Sequence, residues 1–250
     1  MRFAASISIV AGAMLSSTAA FAIPTFNYQI TDLGTNKVAA QNAFDAWVLS
    51  KNKVLTEDFE GFNANPGDTT GDQDPDTAVG KFTGSGGAGT GTASVQNKSQ
   101  TVVKDFDSEG RNVTKQGDQW LDSNDVTTVT WDISGSSVTA FGDFDSIGFF
   151  VIDAADNGAT MQVAFSGGGT GFFNLPAFGS EDNSNIQFIT GKFSERVSTA
   201  TVTMSNLNGE TNDGWGIDNA SIAVPVPASM ALLGTGLLGL GLLARRRQVD

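Results

Sequence analysis

The 250-residue sequence contains no cysteine and no histidine. Without cysteine, there is neither a disulfide framework nor a thiolate metal site. Without histidine, the chain lacks the usual general base near neutral pH and the commonest zinc ligand. Paired carboxylates are then the only catalytic apparatus that the residues offer, and so acidic a chain contains such pairs by chance. We therefore expect a protein that is not an enzyme.

Basic residues are also scarce, with 14 lysines and arginines against 27 aspartates and glutamates. Four of the basic residues lie near the termini, at Arg2 and at 245–247. Between Ile23 and Pro227, ten basic residues therefore face twenty-six acidic ones, a net charge of −16. Such a surface repels nucleic acid and anionic lipid headgroups and attracts cations. We expect no nucleic-acid partner.

A run without charge lies near the C-terminus, within VPVPASMALLGTGLLGLGLLARRRQVD. The fifteen residues from Met230 to Ala244 would span about 22 Å as a helix. A bilayer core of about 30 Å usually takes ~20 apolar residues, so this hydrophobic helix is short. The arginines that follow it would stay in the cytoplasm and leave the preceding chain outside. The segment is a retained membrane anchor, a removable sorting tag or, as the alternative, the last helix of a globular core.

The N-terminus, MRFAASISIVAGAMLSSTAAFAIP, has the layout of a secretory signal peptide over residues 1–22. Arg2 precedes an apolar run from Phe3 to Leu15, and small residues then stand at the −3 and −1 positions before Ile23. An N-terminal membrane anchor is the alternative, but the run is short and a cleavage site follows it. We expect signal peptidase to remove residues 1–22.

Together, these two termini resemble those of PEP-CTERM proteins, and the closest variant is the VPLPA-CTERM form of alphaproteobacterial surface proteins. The residues that carry the resemblance are a proline motif and an arginine cluster on either side of the apolar run: Val224, Pro225, Val226, Pro227, Ala228, Arg245, Arg246 and Arg247. Val226 replaces the usual leucine. The resemblance implies that residues 225–250 form a transient membrane anchor, which an exosortase-type protease cuts near the prolines. It also implies a protein tethered at the inner membrane of a Gram-negative bacterium and then released to the cell surface or extracellular matrix.

Residues 54–224 have the pattern of an antiparallel β-sandwich. Apolar and polar residues alternate in short runs that glycine, asparagine and aspartate separate, which is typical of strands and turns. The runs are 55–62, 126–133, 137–144, 146–153, 161–166, 186–193, 199–206 and 215–222. In these runs we expect inward-facing positions at Val129, Trp131, Ile133, Met161, Val163, Phe165, Val202 and Met204.

Two segments depart from this alternation. Within the N-terminal segment 23–53, Ala40, Phe44 and Trp47 recur at helical spacing, which predicts a short amphipathic helix over 37–48 that packs on the domain edge. Residues 63–98 are almost entirely Gly, Thr, Asp, Ser and Ala, and we expect an acidic, glycine-rich surface loop there.

The body resembles the jelly-roll ectodomains of PEP-CTERM proteins. The stretches that carry this resemblance are Phe59–Phe62, FGDFDSIGFFVIDAADNG and the closing Asp213–Ile222. Similar opening and closing strands occur in jelly-roll carbohydrate-binding modules.

Two groups of carboxylates are candidate Ca²⁺ ligands, because calcium prefers six to eight oxygen ligands. The first is the alternating run Asp72, Asp74 and Asp76, for which the alternative is a solvated loop. The second joins Glu60, on the first of the predicted strands, to Asp213 and Asp218 near the last. The first and last strands of a jelly roll commonly lie side by side, so calcium could clip the ends together. Here the alternative is that Asp218 only hydrogen-bonds a tight turn.

Trp120 and Trp215 stand beside Gly and Asp turn residues and are candidates for stacking on sugar rings. The alternative is that they close the ends of the sandwich. We expect a structural or adhesive surface protein that contacts exopolysaccharide. The alternatives are an extracellular polysaccharide hydrolase that uses carboxylates, and a membrane-tethered domain of another role.

Overall fold

The computed structural model describes residues 25–63, 72–86, 101–105, 113, 117, 119–123, 126–154, 161–166, 170–174, 185–206 and 214–225. The predicted signal peptide and the predicted C-terminal helix lie outside these residues. The strands are β1 (Phe26–Asp32), β2 (Lys51–Glu57), β3 (Asp76–Thr77), β4 (Gly80–Ser85), β5 (Val102–Asp105), β6 (Gln119–Asp122), β7 (Thr128–Ile133), β8 (Phe144–Ile152), β9 (Met161–Ser166), β10 (Thr170–Asn174), β11 (Ile186–Val197), β12 (Ala200–Asn206) and β13 (Gly216–Pro225). The helices are α1 (Lys37–Leu49) and α2 (Ser136–Phe141).

The strands form two antiparallel sheets. The first has seven strands in the order β1-β11-β8-β13-β6-β5, with β2 also paired to β13. The second has six strands in the order β10-β9-β12-β7-β4-β3. The prediction of a mainly β protein built from antiparallel sheets is confirmed. Its last described strand, β13, has neighbours on both sides, in β8 on one side and in β2 and β6 on the other.

The main core lies between the two sheets. On β7, Val129, Trp131 and Ile133 are fully buried while the residues between them are not, as the twofold alternation predicts. They share one cluster with Phe149 and Ile222 of the other sheet. The indole Nε1 of Trp131 donates a 3.1 Å hydrogen bond to the carbonyl of Val79, so this buried polar group is satisfied. Val202 and Met204 are also fully buried, as predicted.

Helix α1 covers the outer face of the seven-stranded sheet, where it forms a second, smaller core. Asn36 caps its N-terminus by accepting a 3.0 Å hydrogen bond from the amide of Ala39. Phe44 packs against Phe150 and Phe188, with ring centroids about 6 Å apart. The helix predicted over 37–48 is confirmed, and its apolar side gives the sheet a covered outer face over part of its width.

The strand predicted over 137–144 is wrong, because residues Ser136–Phe141 form helix α2 instead. Glycines stand on either side of this helix, with φ angles of 96° at Gly135 and 94° at Gly142, and such angles do not fit a strand. Val138 and Phe141 are three residues apart and both are buried, which is a helical spacing. The spacing of apolar residues in 137–144 is compatible with a strand and with a helix, but the φ angles of the two glycines are not compatible with a strand.

The surface loop predicted over residues 63–98 is wrong for residues 76–85, which form β3 and β4. Phe82 is fully buried there and stacks on Trp131, with ring centroids 5.4 Å apart and planes within 11°. The hairpin corner needs Gly80, whose φ is 117° and whose added Cβ would lie 2.1 Å from the carbonyl oxygen of Asp132. The burial of Phe82 and the close approach of Gly80 to the backbone of β7 therefore explain why this polar stretch forms a strand.

The N-terminal segment 23–53 is integrated into the sandwich. Strand β1, which the sequence analysis did not predict, pairs along its whole length with β11 at the edge of the seven-stranded sheet. Its inward pairs Phe26↔Phe193 and Ile30↔Ile189 join the main core. Between them, Asn27 and Gln29 therefore point to the outer face.

Candidate functional sites

Both tryptophans that were candidates for sugar stacking are buried. Trp120 on β6 and Trp215 just before β13 are each 1% exposed. Trp215 belongs to the main core cluster, and its backbone amide donates a hydrogen bond to the Ser123 hydroxyl at 2.9 Å. Neither indole ring presents a face to solvent, so the stacking role predicted for them is wrong. The alternative, that they fill the interior, agrees with the structure.

The carboxylates of the run 72–76 hold the polar stretch in place. Asp74 has a φ of 45°, and its Oδ1 accepts hydrogen bonds from the amides of Gly84 and Thr101 and from the hydroxyl of Thr101, at 2.9–3.1 Å. Asp72 accepts from the amide of Asn63 at 2.9 Å, while Asp76 is exposed on β3. The carboxylates of Asp72 and Asp74 therefore both bind backbone amides of neighbouring segments.

The second candidate calcium site is brought together in part. Asp218 on β13 is 1% exposed, and its carboxylate accepts hydrogen bonds from the amides of Asn219 at 2.7 Å and Val113 at 3.3 Å. Burial raises the pKa of Asp218 well above its usual range, and the charges of Asp58 and Glu60 raise it further. Glu60 is thus near Asp218, although its own Oε1 accepts from the amide of Gln119 at 2.7 Å. Asp213 lies outside the described residues.

A bulge in β13 turns two adjacent side chains to the same face. The register against β8 shifts between Asp218 and Ser221, and Asn219 there has a φ of 50°. Ile217 and Ala220, on either side of the bulge, both belong to the main core. Asp218 and Asn219 therefore both point to the outer face, toward α1. Asn219 is 6% exposed and its Oδ1 has no hydrogen-bond partner among the described residues.

Asn219 lines a cavity of about 370 Å³ between α1 and β2. Most of the polar groups on its wall bear oxygen, and they come from Gln41, Asp45, Thr56, Asp58 and Asn219. The Nε2 of Gln41 donates a hydrogen bond to Asp45 at 2.9 Å, while its Oε1 is buried and has no partner among the described residues. Within the described ranges, no group of three or more acidic side chains is placed to hold a metal ion by itself. A cation in this cavity would therefore depend on the amide oxygens as well as on carboxylates.

A second hollow, of about 330 Å³, lies on the outer face near the β1 edge of the same sheet. Its floor comes from the opposed pairs Asn27↔Lys192 and Gln29↔Thr190 of β1 and β11. Trp47, from the last turn of α1, and Lys51, at the start of β2, complete the lining. Tyr28 and Gly191 also line this hollow, which we call the edge groove. It combines amide, hydroxyl, ammonium and indole groups.

Sequence reasoning missed most of the residues that line the two hollows. Asn219 follows a predicted ligand directly, but its orientation depends on a bulge that the sequence does not reveal. Asn27 and Gln29 lie in a strand that was not predicted, so their pairing with β11 could not be anticipated. A weak signal was present in FNYQITD, which alternates polar and apolar residues as an edge strand does.

Strand β13, which contributes to the main core, leads directly into the predicted sorting segment. Val224 is 8% exposed in the core, and Pro225 still pairs with Lys51 of β2. Val226, Pro227, Ala228, Arg245, Arg246 and Arg247 lie outside the described residues. Neither of the two described helices has the length and hydrophobicity needed to cross a bilayer.

Comparison with known protein families confirms the sorting segment. Residues 223–247 match the model of the PEP-CTERM protein-sorting motif. The chain thus carries the sorting signal of exported proteins that exosortase-type enzymes process. The motif and β13 share residues 223–225, so the signal begins inside the last described strand.

The other comparisons add little about function. No curated protein matches the chain. Among solved structures, the chain is similar to the CBM22-1 xylan-binding domain of Paenibacillus barcinonensis Xyn10C, at 12% identity and a TM-score of 0.38. The similarity covers 71% of this chain and 98% of that domain. A likeness at this level says nothing about the ligand of this chain.

Proposed function

We propose that this protein is a structural and adhesive component of the bacterial cell surface or extracellular matrix, where it holds exopolysaccharide. The observation that carries the proposal is the direct passage from β13 into the sorting motif. Since the motif begins within β13, the folded sandwich is the part of the chain that this signal delivers. A rigid, strongly acidic module at the surface suits a scaffolding role.

Processing is tested by mass spectrometry of the mature C-terminus. We expect the protein recovered from the cell surface to end near Pro227 and Ala228, since cleavage near the prolines removes the apolar run. Surface protein that still carries residues 245–247 would instead support the alternative of a domain that stays tethered to the membrane.

The adhesive role is tested by retention of the exported protein on the exopolysaccharide of the producing cell. We expect the protein to sediment with purified exopolysaccharide and to be released when the polymer is enzymatically degraded. The same incubation should be assayed for new reducing ends. Their appearance in proportion to the protein added would favour the alternative, a carboxylate-dependent hydrolase, over a structural role.

A second candidate function is structural binding of Ca²⁺ in the cavity between α1 and β2. Asn219 favours it, because a buried amide oxygen without a partner costs free energy that a cation would recover. Asp45 and Asp58 on the wall of the cavity would supply charge, and the Oε1 of Gln41 a further oxygen. Such a cation would tie α1 and β2 to the bulge in β13.

Thermal unfolding in EDTA and in millimolar Ca²⁺ tests this candidate. Saturation to about a hundred times the dissociation constant stabilises by about 2.7 kcal/mol, which corresponds to a rise in Tm of about 5–10 °C for a domain of this size. The Asp58→Asn variant should lose most of this rise. Asp132→Asn is the matched control, because Asp132 is an exposed aspartate on β7 of the other sheet and is not a candidate ligand. Equal melting of the unmodified protein under both conditions would exclude the calcium site.

A further inference from the structure

The edge groove differs in charge from the domain that carries it. Only ten basic residues are present between Ile23 and Pro227, against twenty-six acidic ones. Two of the ten, Lys51 and Lys192, line this one hollow. The side chains between them on the floor are the neutral amides of Asn27 and Gln29. The groove is therefore a locally cationic site on an anionic protein.

The two lysines are held close together by the register of the sheet. Lys192 lies beside Ser146 of β8, and the Nζ of Lys51 lies 3.3 Å from the hydroxyl of the same serine. A register shift between Val224 and Pro225 in the pairing of β13 with β2 allows Lys51 to reach this outer face.

The surroundings of Lys51 disfavour its protonated, charged form. Burial lowers the pKa of Lys51, the charge of Lys192 lowers it further, and Asp145 opposes both effects. Asp145 is 6% exposed, and one of its carboxylate oxygens accepts a hydrogen bond from Ser146 at 2.8 Å. An anion bound in the groove would relieve the repulsion between the two ammonium groups.

One wall of the groove is an indole ring. Trp47 packs edge-on against Phe188, and an added Cβ at Gly148 would lie 3.0 Å from its Cζ2, so the ring rests directly on the sheet. Gly148 is opposite Thr190 in the register of β8 with β11, which places the indole beside the floor of the groove. The Nζ of Lys51 lies 5.2 Å from the centre of this ring. Trp47 is only partly buried, so the groove has an apolar surface next to its charged and amide groups.

These side chains match the chemistry of an acidic sugar. The C–H face of a sugar ring packs on an indole, amides exchange hydrogen bonds with neighbouring hydroxyls, and a uronate carboxylate pairs with ammonium groups. The volume of about 330 Å³ lies at the lower end of ligand pockets, which fits a short segment of a polymer. Nucleic acid and anionic membranes are less suitable occupants, because a ligand recognised by its phosphate charge alone would leave the amides and the indole of the groove unused.

We propose that the edge groove, lined by Asn27, Gln29, Trp47, Lys51, Thr190 and Lys192, binds a short segment of a uronate-bearing polysaccharide. This inference rests on the proposed adhesive function and names its site and ligand class. Trp47 supplies the accessible aromatic surface that the buried Trp120 and Trp215 cannot supply. The ligand would contact the β1 edge of the sheet and the last turn of α1. The cavity beside Asn219 would remain available for a cation.

Binding of the exported protein to polygalacturonate and to dextran, a neutral glucan, tests the proposal. We expect binding to polygalacturonate that weakens as salt is added, and at least tenfold weaker binding to dextran. The Lys192→Gln variant should bind polygalacturonate about tenfold more weakly, as expected for the loss of one charged hydrogen bond. Lys192 is exposed, so this variant should fold normally. Lys81→Gln, which removes an exposed lysine from β4, is the matched control and should bind as the unmodified protein does.

The outcomes separate the groove from the proposed function. If the protein is retained on its own exopolysaccharide but Lys192→Gln and the double variant Asn27→Ala/Gln29→Ala bind polygalacturonate unchanged, the groove is not the site. Equal binding to dextran would overturn the uronate class, and stronger binding to phosphatidylglycerol vesicles than to either polymer would overturn a polysaccharide ligand. If the protein is not retained on its own exopolysaccharide at all, the adhesive function itself fails.

Discussion

Replacing Phe82 with alanine tests whether the polar stretch before residue 86 belongs to the core. Phe82 is fully buried, stacks on Trp131 and meets Phe59 nearly edge-on, with ring centroids 5.6 Å apart. It therefore joins the hairpin of β3 and β4 to the centre of the sandwich. Removing the ring would leave a hole between two other aromatic rings, which cannot collapse without moving β7.

The expected loss is large because it includes both the transfer of the ring and the cavity. Phe→Ala substitutions in cores cost about 3–5 kcal/mol. For a domain of 150–250 residues, each kcal/mol lowers Tm by about 2–4 °C, so Tm should fall by about 6–20 °C. Lys81→Ala is the matched control. Lys81 precedes Phe82 on the same strand and points to solvent, so its loss should cost no more than about 0.5 kcal/mol.

Circular dichroism melting of the purified protein and its two variants measures both effects. Near-ultraviolet spectra would also report the loss of the stacked pair with Trp131. A decrease of less than about 1 kcal/mol for Phe82→Ala, similar to that for Lys81→Ala, would refute the assignment of β4 to the core. The stretch would then be the surface loop that its composition predicts.

Two further predictions concern the tail and the buried carboxyl group. Deletion of residues 230–250 should change Tm by less than about 2 °C, because the described core is closed by Val224; a larger drop would mean that the tail packs on the domain. The pKa of Asp218 is raised in the folded state, so its favourable contribution is complete below the ordinary aspartate pKa of about 3.9 and is lost as pH rises through the folded value. In EDTA, the stability of Asp218→Asn relative to the unmodified protein should therefore increase from about pH 4 to about pH 8, and a constant difference would show that Asp218 keeps an ordinary pKa.

The sequence predicted those parts of the fold that depend on local pattern. Alternation around Trp131 identified a central strand and its inward face, and the spacing of Ala40 and Phe44 identified α1. The sorting motif was recognised from its prolines and arginines, and the family comparison confirmed it.

What the sequence did not reveal depends on contacts between distant segments. Strand β1 is polar on its outer face and gains its place only by pairing with β11, about 160 residues later. The outward turn of Asn219 follows from a bulge that exists only against β8. Trp215 was judged by its glycine and aspartate neighbours, but these residues bend the chain and do not determine which way the indole ring points. Candidate sites therefore failed where side-chain direction was set by tertiary pairing.

The place of β13 has a consequence for the order of events during export. This strand is the last one in the described part of the chain, and yet it lies inside the sheet, between β8 on one side and β2 and β6 on the other. Strands β2, β6 and β8 each pair with β13, so they cannot complete their native pairing until β13 is present. A chain that is truncated before residue 216, or still threading through the translocation channel, would expose unpaired strand edges to proteases. Because the sorting motif begins at residue 223, inside β13, a chain that lacks the motif also lacks the end of the strand that completes this sheet.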